Sequence, residues 1–95
     1  MFNMEKIKKW KNRTGMYYFY CPACKENHQI ALSENDCGFP IWTWNGDTEK
    51  PTISPSILVQ WPYHRCHSFI RDGKIEYLSD CTHELAGKTI ELGYL

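Results

Sequence analysis

The amino-acid sequence predicts a small, mainly β domain of zinc-ribbon-like character, opened by a short N-terminal helix or arm. Three observations carry that expectation. Short runs rich in β-branched and aromatic residues are punctuated by the turn signals Asn45-Gly46 and Asp72-Gly73. Five cysteines and four histidines are packed into 95 residues, a density that suggests metal ligation. A chain of this length supports one core and a thin one, so a metal crosslink would add folding free energy that apolar burial alone does not supply.

The elements follow in order. Residues 1–15 form the arm or helix: Phe2, Ile7 and Trp10 can share one helical face, over barely three turns. Residues 16–95 form the metal-binding β domain. Residues 16–20 (MYYFY) and 28–32 (HQIAL) read as strands flanking a CPAC turn, and residues 41–44 (IWTW) as a short strand ending at Asn45-Gly46. Residues 45–56 hold Pro51, Pro55 and many turn formers, and read as an ordered loop. In residues 57–61, Ile57, Val59 and Trp61 alternate with Leu58 and Gln60, as in a strand. Residues 65–70 and 74–79 flank Asp72-Gly73 as a β-hairpin. Residues 82–87 suit a turn or helical turn, and residues 89–92 a last strand.

Composition narrows the function classes. Eleven basic and eleven acidic residues give zero formal charge, which argues against a surface wholly devoted to nucleic acid. No apolar run approaches the ~18 residues of a bilayer span, so no membrane partner is expected. The first ten residues lack the apolar segment of a signal peptide, which points to a reducing cytoplasm. Charge is nevertheless segregated: residues 1–13 carry a net +4 and the remainder a net −4. Lys6, Lys8, Lys9, Lys11 and Arg13 with Trp10 make a basic, aromatic arm that would contact nucleic-acid phosphates, although most such runs only solvate a surface. The same split would suit head-to-tail association of two copies.

In a reducing compartment an odd number of cysteines argues for thiols and metal rather than disulfides. Cys21-x2-Cys24 is a knuckle whose backbone N–H groups can point at thiolate sulfur. A two-residue loop at Asp72-Gly73 makes every cross-strand pair of the hairpin sum to 145, so Ile70 faces Ile75 and Ser68 faces Tyr77. Cys66 then faces Ser79, with Cys81 two residues further on the same side. Zinc held by Cys21, Cys24, Cys66 and Cys81 is the leading shell, with His28 or His83 able to replace one cysteine. Cys37, followed by Gly38, reads as an ordinary thiol. A thioredoxin-like role for CPAC lacks the helix that should follow the motif.

His67 lies on the opposite hairpin face from Cys66, beside Asp80. A histidine oriented by a carboxylate is a general-base arrangement, and also a common structural hydrogen bond. His67, Asp80 and His83 are therefore the candidate catalytic residues, of a metal-dependent hydrolase if a mixed shell leaves one metal position open. Thr52, Ser54 and Ser56 offer hydroxyls on a proline-stiffened segment. Trp42 and Trp44 suit sheet packing, with Trp44 and Asn45 alternatively forming a binding wall.

The motifs CPAC with His28, WTWNGD, PTISPSIL and CHSFIRDGKIEYLSDCTHELAGKTIEL resemble those of a family of small phage and prophage proteins of unassigned function. Its members are often labelled ammonia monooxygenase, a name without basis in these residues, and similar domains occur beside bacterial ubiquitin-like conjugation genes. The resemblance covers residues 20–92. It implies that Cys21, Cys24, His28, Trp44, Asn45, Pro51, Thr52, Pro55, Ser56, Cys66, His67, Asp80, Cys81 and His83 matter, without saying how; Trp44, Asn45, Thr52 and Ser56 are the candidate binding residues. It also implies a host-directed role. The expectation from sequence is thus a zinc-stabilised module that binds a macromolecule, a host protein first, with hydrolysis and nucleic-acid binding as alternatives.

Overall fold

The computed structural model describes residues 4–95. The described chain is all β, in two antiparallel sheets. The first has the order β1-β2-β3, from β1 (Lys8–Lys9), β2 (Met16–Cys21) and β3 (Glu26–Ala31). The second has the order β4-β5-β6-β7-β8, from β4 (Thr43–Trp44), β5 (Ile53–Trp61), β6 (His64–Arg71), β7 (Lys74–Tyr77) and β8 (Thr89–Glu91).

The N-terminal segment is not a helix among the described residues. Lys8 and Lys9 pair with Tyr18 and Tyr17 as an edge strand. Ile7 is fully buried, and Trp10 packs its ring 4.7 Å from that of Tyr18. Sheet pairing thus serves these side chains better than three marginal helical turns would; Phe2 lies outside the described residues. Lys6 leaves the basic arm altogether. It is 5% exposed, with Nζ 2.7 Å from Glu91 and donating to the Gly73 carbonyl at 3.2 Å. The Lys6 ammonium holds the Glu91 carboxyl below its usual range.

One apolar cluster draws on both sheets: Phe19 and Ile30 from the first, Ile53, Ile57, Ile70 and Ile75 from the second. Strand alternation selects these faces. On β6, Cys66, Ser68 and Ile70 point inward while His67 and Phe69 are half-buried on the other side. Phe19 also presents its ring edge-on to His28, at 5.6 Å between centroids. Phe19→Ala is therefore expected to cost about 3–5 kcal/mol, read as a lower midpoint in urea with an unchanged slope.

The β6–β7 hairpin has the register expected from sequence, with Ser68 opposite Tyr77, Ile70 opposite Ile75 and Arg71 opposite Lys74. Asp72 (φ 49°) and Gly73 (φ 76°) are both left-handed, as a type I′ turn requires. The 45–56 segment differs at its end. Asn45 Oδ1 accepts from the amides of Asp47 and Thr52, and Asp47 Oδ1 from Glu49 and Lys50, so a compact loop does form. It stops at Thr52, and β5 starts at Ile53. The prolines mislead because the strand accommodates Pro55 in a bulge: β5 shifts register between Ile53 and Ile57, opposite Ile70 and Ser68. Residues 82–87 form bends and turns, as expected.

Candidate active site and metal centre

The bulge matters because it carries Ser56. Bulges re-aim side chains at the edge of a ladder, and here Ser56 Oγ comes to rest 2.9 Å from His67 Nε2. On the other side of the ring, His67 Nδ1 lies 3.1 and 3.3 Å from the two oxygens of Asp80. A carboxylate only accepts hydrogen bonds, so Nδ1 carries the proton and donates it to Asp80. Nε2 is then the acceptor, and the Ser56 hydroxyl donates to it. The three side chains form a hydroxyl–imidazole–carboxylate chain on the outer face of the second sheet.

Each member is held in place. The indole N–H of Trp42 donates to the Ser56 carbonyl at 3.4 Å. Asp80 accepts from His67 and lies 3.5 Å from the Arg65 guanidinium. Its carboxyl stays below the usual range, chiefly through the His67 hydrogen bond, with the charges of His67 and Arg65 adding to the effect. Asp80 therefore remains ionised at neutral pH, and its contribution is lost only as pH falls through that depressed value. The His67 backbone is clamped by Cys81, whose sulfur accepts the His67 N–H and donates to the His67 carbonyl, both at 3.2 Å.

A second constellation sits behind this one. Cys21 ends β2, Cys24 lies in the following turn, His28 is on β3 and Cys66 is on β6. One ligand atom from each falls within 4.8 Å of all the others. The Cys24 amide donates to Cys21 sulfur at 3.4 Å, the knuckle bond expected from CPAC. Cys21 sulfur is 3.9 Å from that of Cys66 and 3.2 Å from the Tyr77 hydroxyl. The hydrogen bond with the Cys66 thiol holds the Cys21 thiol strongly down, with His28 and the Tyr77 hydroxyl adding to the effect against burial. The same contact with Cys21 pushes the Cys66 thiol far up, and burial raises Cys24. Three thiolates in contact are not tolerated without a cation, so one ionises at its neighbours' expense.

The donor set fits a metal. His28 is 4% exposed, and its Nε2 is buried with no hydrogen-bond partner. A buried ring nitrogen left unmatched beside three sulfurs offers a lone pair suited to a cation. The cluster can bind a metal ion through Cys21, Cys24, His28 and Cys66. Cys81 is placed differently from the leading expectation: it groups with Cys66 and His83, and its sulfur serves the His67 backbone. The buried Nε2 of His83 likewise has no partner. Its ring packs edge-on against Tyr77 at 4.7 Å. Cys37 is a half-buried thiol 3.5 Å from Asp36.

Of the four residues expected to bind, Ser56 joins the hydroxyl chain. Asn45 and Thr52 organise the 45–52 loop, with Thr52 Oγ1 accepting the Asp72 amide at 2.9 Å. Trp44 packs 5.2 Å from Tyr17. Sequence reasoning missed His64, whose Nε2 is 3.1 Å from Cys24 sulfur while its ring stacks on Trp61 at 4.2 Å. The signal was available: His64 lies two residues before Cys66, on the same side of β6.

A family model described as bacterial ubiquitination-like system serine protease (BubE) matches residues 3–78. The chain belongs to the BubE family. The matched stretch includes Ser56, His67, Cys21, Cys24, His28 and Cys66; Asp80, Cys81 and His83 lie just beyond it. No curated protein and no solved structure matches the chain. BubE membership makes this a component type of a bacterial conjugation-like system and bears on neither phage origin nor host targets.

Proposed function

We propose that the protein is a serine protease of a bacterial ubiquitin-like conjugation system, with Ser56 as nucleophile, His67 as general base and Asp80 as the residue that orients His67. The observation that carries this reading is the 2.9 Å contact between Ser56 Oγ and His67 Nε2, continued to Asp80 at 3.1 Å. The family description supports it independently. Ser56 Oγ attacks a peptide carbonyl carbon as its proton passes to His67 Nε2. Asp80 stabilises the imidazolium that forms. His67 then gives the proton to the departing amine, and water releases the acyl group by the same route in reverse.

The metal in this proposal is zinc, bound by Cys21, Cys24, His28 and Cys66 as a closed tetrahedral shell. Such a shell braces the fold and leaves no position for substrate, which separates this reading from a metal-dependent hydrolase. It also differs from a host-directed binding module, which gives no reason for an aligned hydroxyl, imidazole and carboxylate.

The deciding experiment is labelling with a fluorophosphonate, which forms a covalent adduct only with an activated serine. Mass spectrometry is expected to place one adduct on Ser56. His67→Ala should slow labelling by at least about a hundredfold, the scale of general-base assistance, without changing the melting temperature. Labelling spread over several serines, or as fast without His67, would refute the assignment.

A further inference from the structure

The long strand β5 is paired with β6 at Ile53 and from Ile57 to Trp61, either side of its bulge. On its other side, β4 covers just Ile53 and Ser54, opposite Trp44 and Thr43. In an antiparallel ladder a residue turns both its N–H and C=O toward the same neighbour, and successive residues alternate. The hydrogen bonds of β6 fix which β5 residues face outward. His67 C=O accepts from the Leu78 amide at 2.9 Å, and Arg65 C=O from the Thr82 amide at 3.0 Å, so these two turn away from β5. Cys66, His64 and Ser68 therefore turn toward β5, where they engage Val59, Trp61 and Ile57. Leu58 and Gln60 are left with N–H and C=O directed to the open side. The Ser56 carbonyl points the same way, since the Trp42 indole reaches it there.

This edge is also undefended. Sheet edges are normally protected by charge. The outer strand β1 is Lys8–Lys9, β8 ends in Glu91 and β3 begins with Glu26. Residues 53–61 carry no charged side chain. Pro55 and the bulge blunt only the Ser56 end, and Leu58 is 52% exposed.

Building on the serine-protease reading, we propose that the substrate is an extended polypeptide segment that adds as a further strand along the open edge of β5, hydrogen-bonded to Leu58 and Gln60. The edge starts at the nucleophile. Two strand residues span roughly 7 Å, so a segment anchored at Leu58 carries its next peptide bonds past Ser56. Main-chain hydrogen bonds supply the affinity, and the exposed Leu58 selects an apolar side chain beside the cut. A globular surface or a compact turn offers no matching row of donors and acceptors. The substrate class is therefore an unstructured tail or linker.

The test compares two substrates on the full chain. A library of unstructured dodecapeptides, read by mass spectrometry, identifies the best-cleaved peptide, and p-nitrophenyl acetate reports Ser56 reactivity without strand pairing. Leu58→Pro and Gln60→Pro each delete an outward N–H and no ladder hydrogen bond. Each is expected to lower peptide kcat/KM at least about tenfold relative to ester kcat/KM, on the scale of one or two lost hydrogen bonds. Independently of those variants, the best peptide added to Ser56→Ala protein should slow amide exchange at Leu58 and Gln60 at least about tenfold. An unchanged peptide-to-ester ratio, unchanged exchange, or no peptide cleaved while Ser56-dependent ester hydrolysis persists would each overturn the proposal. Peptide cleavage surviving intact in Ser56→Ala, with the edge amides protected, would instead overturn the triad and leave the docking edge standing.

Discussion

Ser56→Ala is expected to lower kcat/KM for substrate hydrolysis by about 10⁴-fold or more, while changing the unfolding free energy by less than about 1 kcal/mol. The asymmetry follows from where the side chain sits. Ser56 is half-buried in the bulge of β5, and its hydroxyl donates to one acceptor, His67 Nε2, on the outer face of the sheet. Removing it takes away the nucleophile and leaves His67 its second hydrogen bond, to Asp80, and its backbone clamp on Cys81. Members of such a chain act as a unit, so His67→Ala should cost nearly as much, and the double substitution little more than either alone. Steady-state kinetics on the best-cleaved peptide, with a urea melt for each variant, checks both halves. If Ser56→Ala is active, another group supplies the attack; if it is unfolded, the hydroxyl is structural.

Removing the metal, or one of its ligands through Cys21→Ser, is expected to drop the melting temperature by tens of degrees. Cys21 is fully buried among residues drawn from both sheets, and its sulfur touches Cys66 and Tyr77. Structural zinc contributes on the order of 10 kcal/mol in small domains. In a domain of this size each kcal/mol is worth about 4–8 °C, so losing even a third of that contribution lowers the melting temperature by roughly 13–27 °C. The ion-free cluster is itself a burden: three contacting sulfurs and the unmatched Nε2 of His28 would stay inside with nothing to join them. Thermal melts with and without a chelator, beside metal analysis of protein purified under reducing conditions, should show one zinc per chain and a steep loss on chelation. A metal-free chain with the same melting temperature would show that apolar burial suffices.

Much of this arrangement is legible in the sequence. Asp72-Gly73 fixes the β6–β7 register, and the register puts Cys66 inside and His67 beside Asp80 on the outside. The knuckle bond to Cys21 follows from the spacing of CPAC. Two features were not legible, for a shared reason. Ser56 sits among prolines that signal a loop, and only the pairing of β5 with both β4 and β6 shows that the segment is a bulged strand. His28 was secondary as a ligand because the turn from Cys21 to β3 brings it back opposite Phe19, an antiparallel pairing that linear spacing does not display. Lys6 and the N-terminal segment mislead for the opposite cause: a local charge run is overridden by the distant Glu91 and Gly73.

Cys66 and His67 are successive residues of β6 that serve opposite sides of one sheet. The pleat therefore forbids any change of length in that strand. A single residue inserted or deleted within β6, between His64 and Cys66, would rotate the imidazole into the interior and the thiol into solvent, disabling hydrolysis and ion retention in one event. The Pro62-Tyr63 turn, which only joins β5 to β6, can lengthen freely. Natural length variation in this lineage should accordingly fall at that tip and spare the eight residues after it.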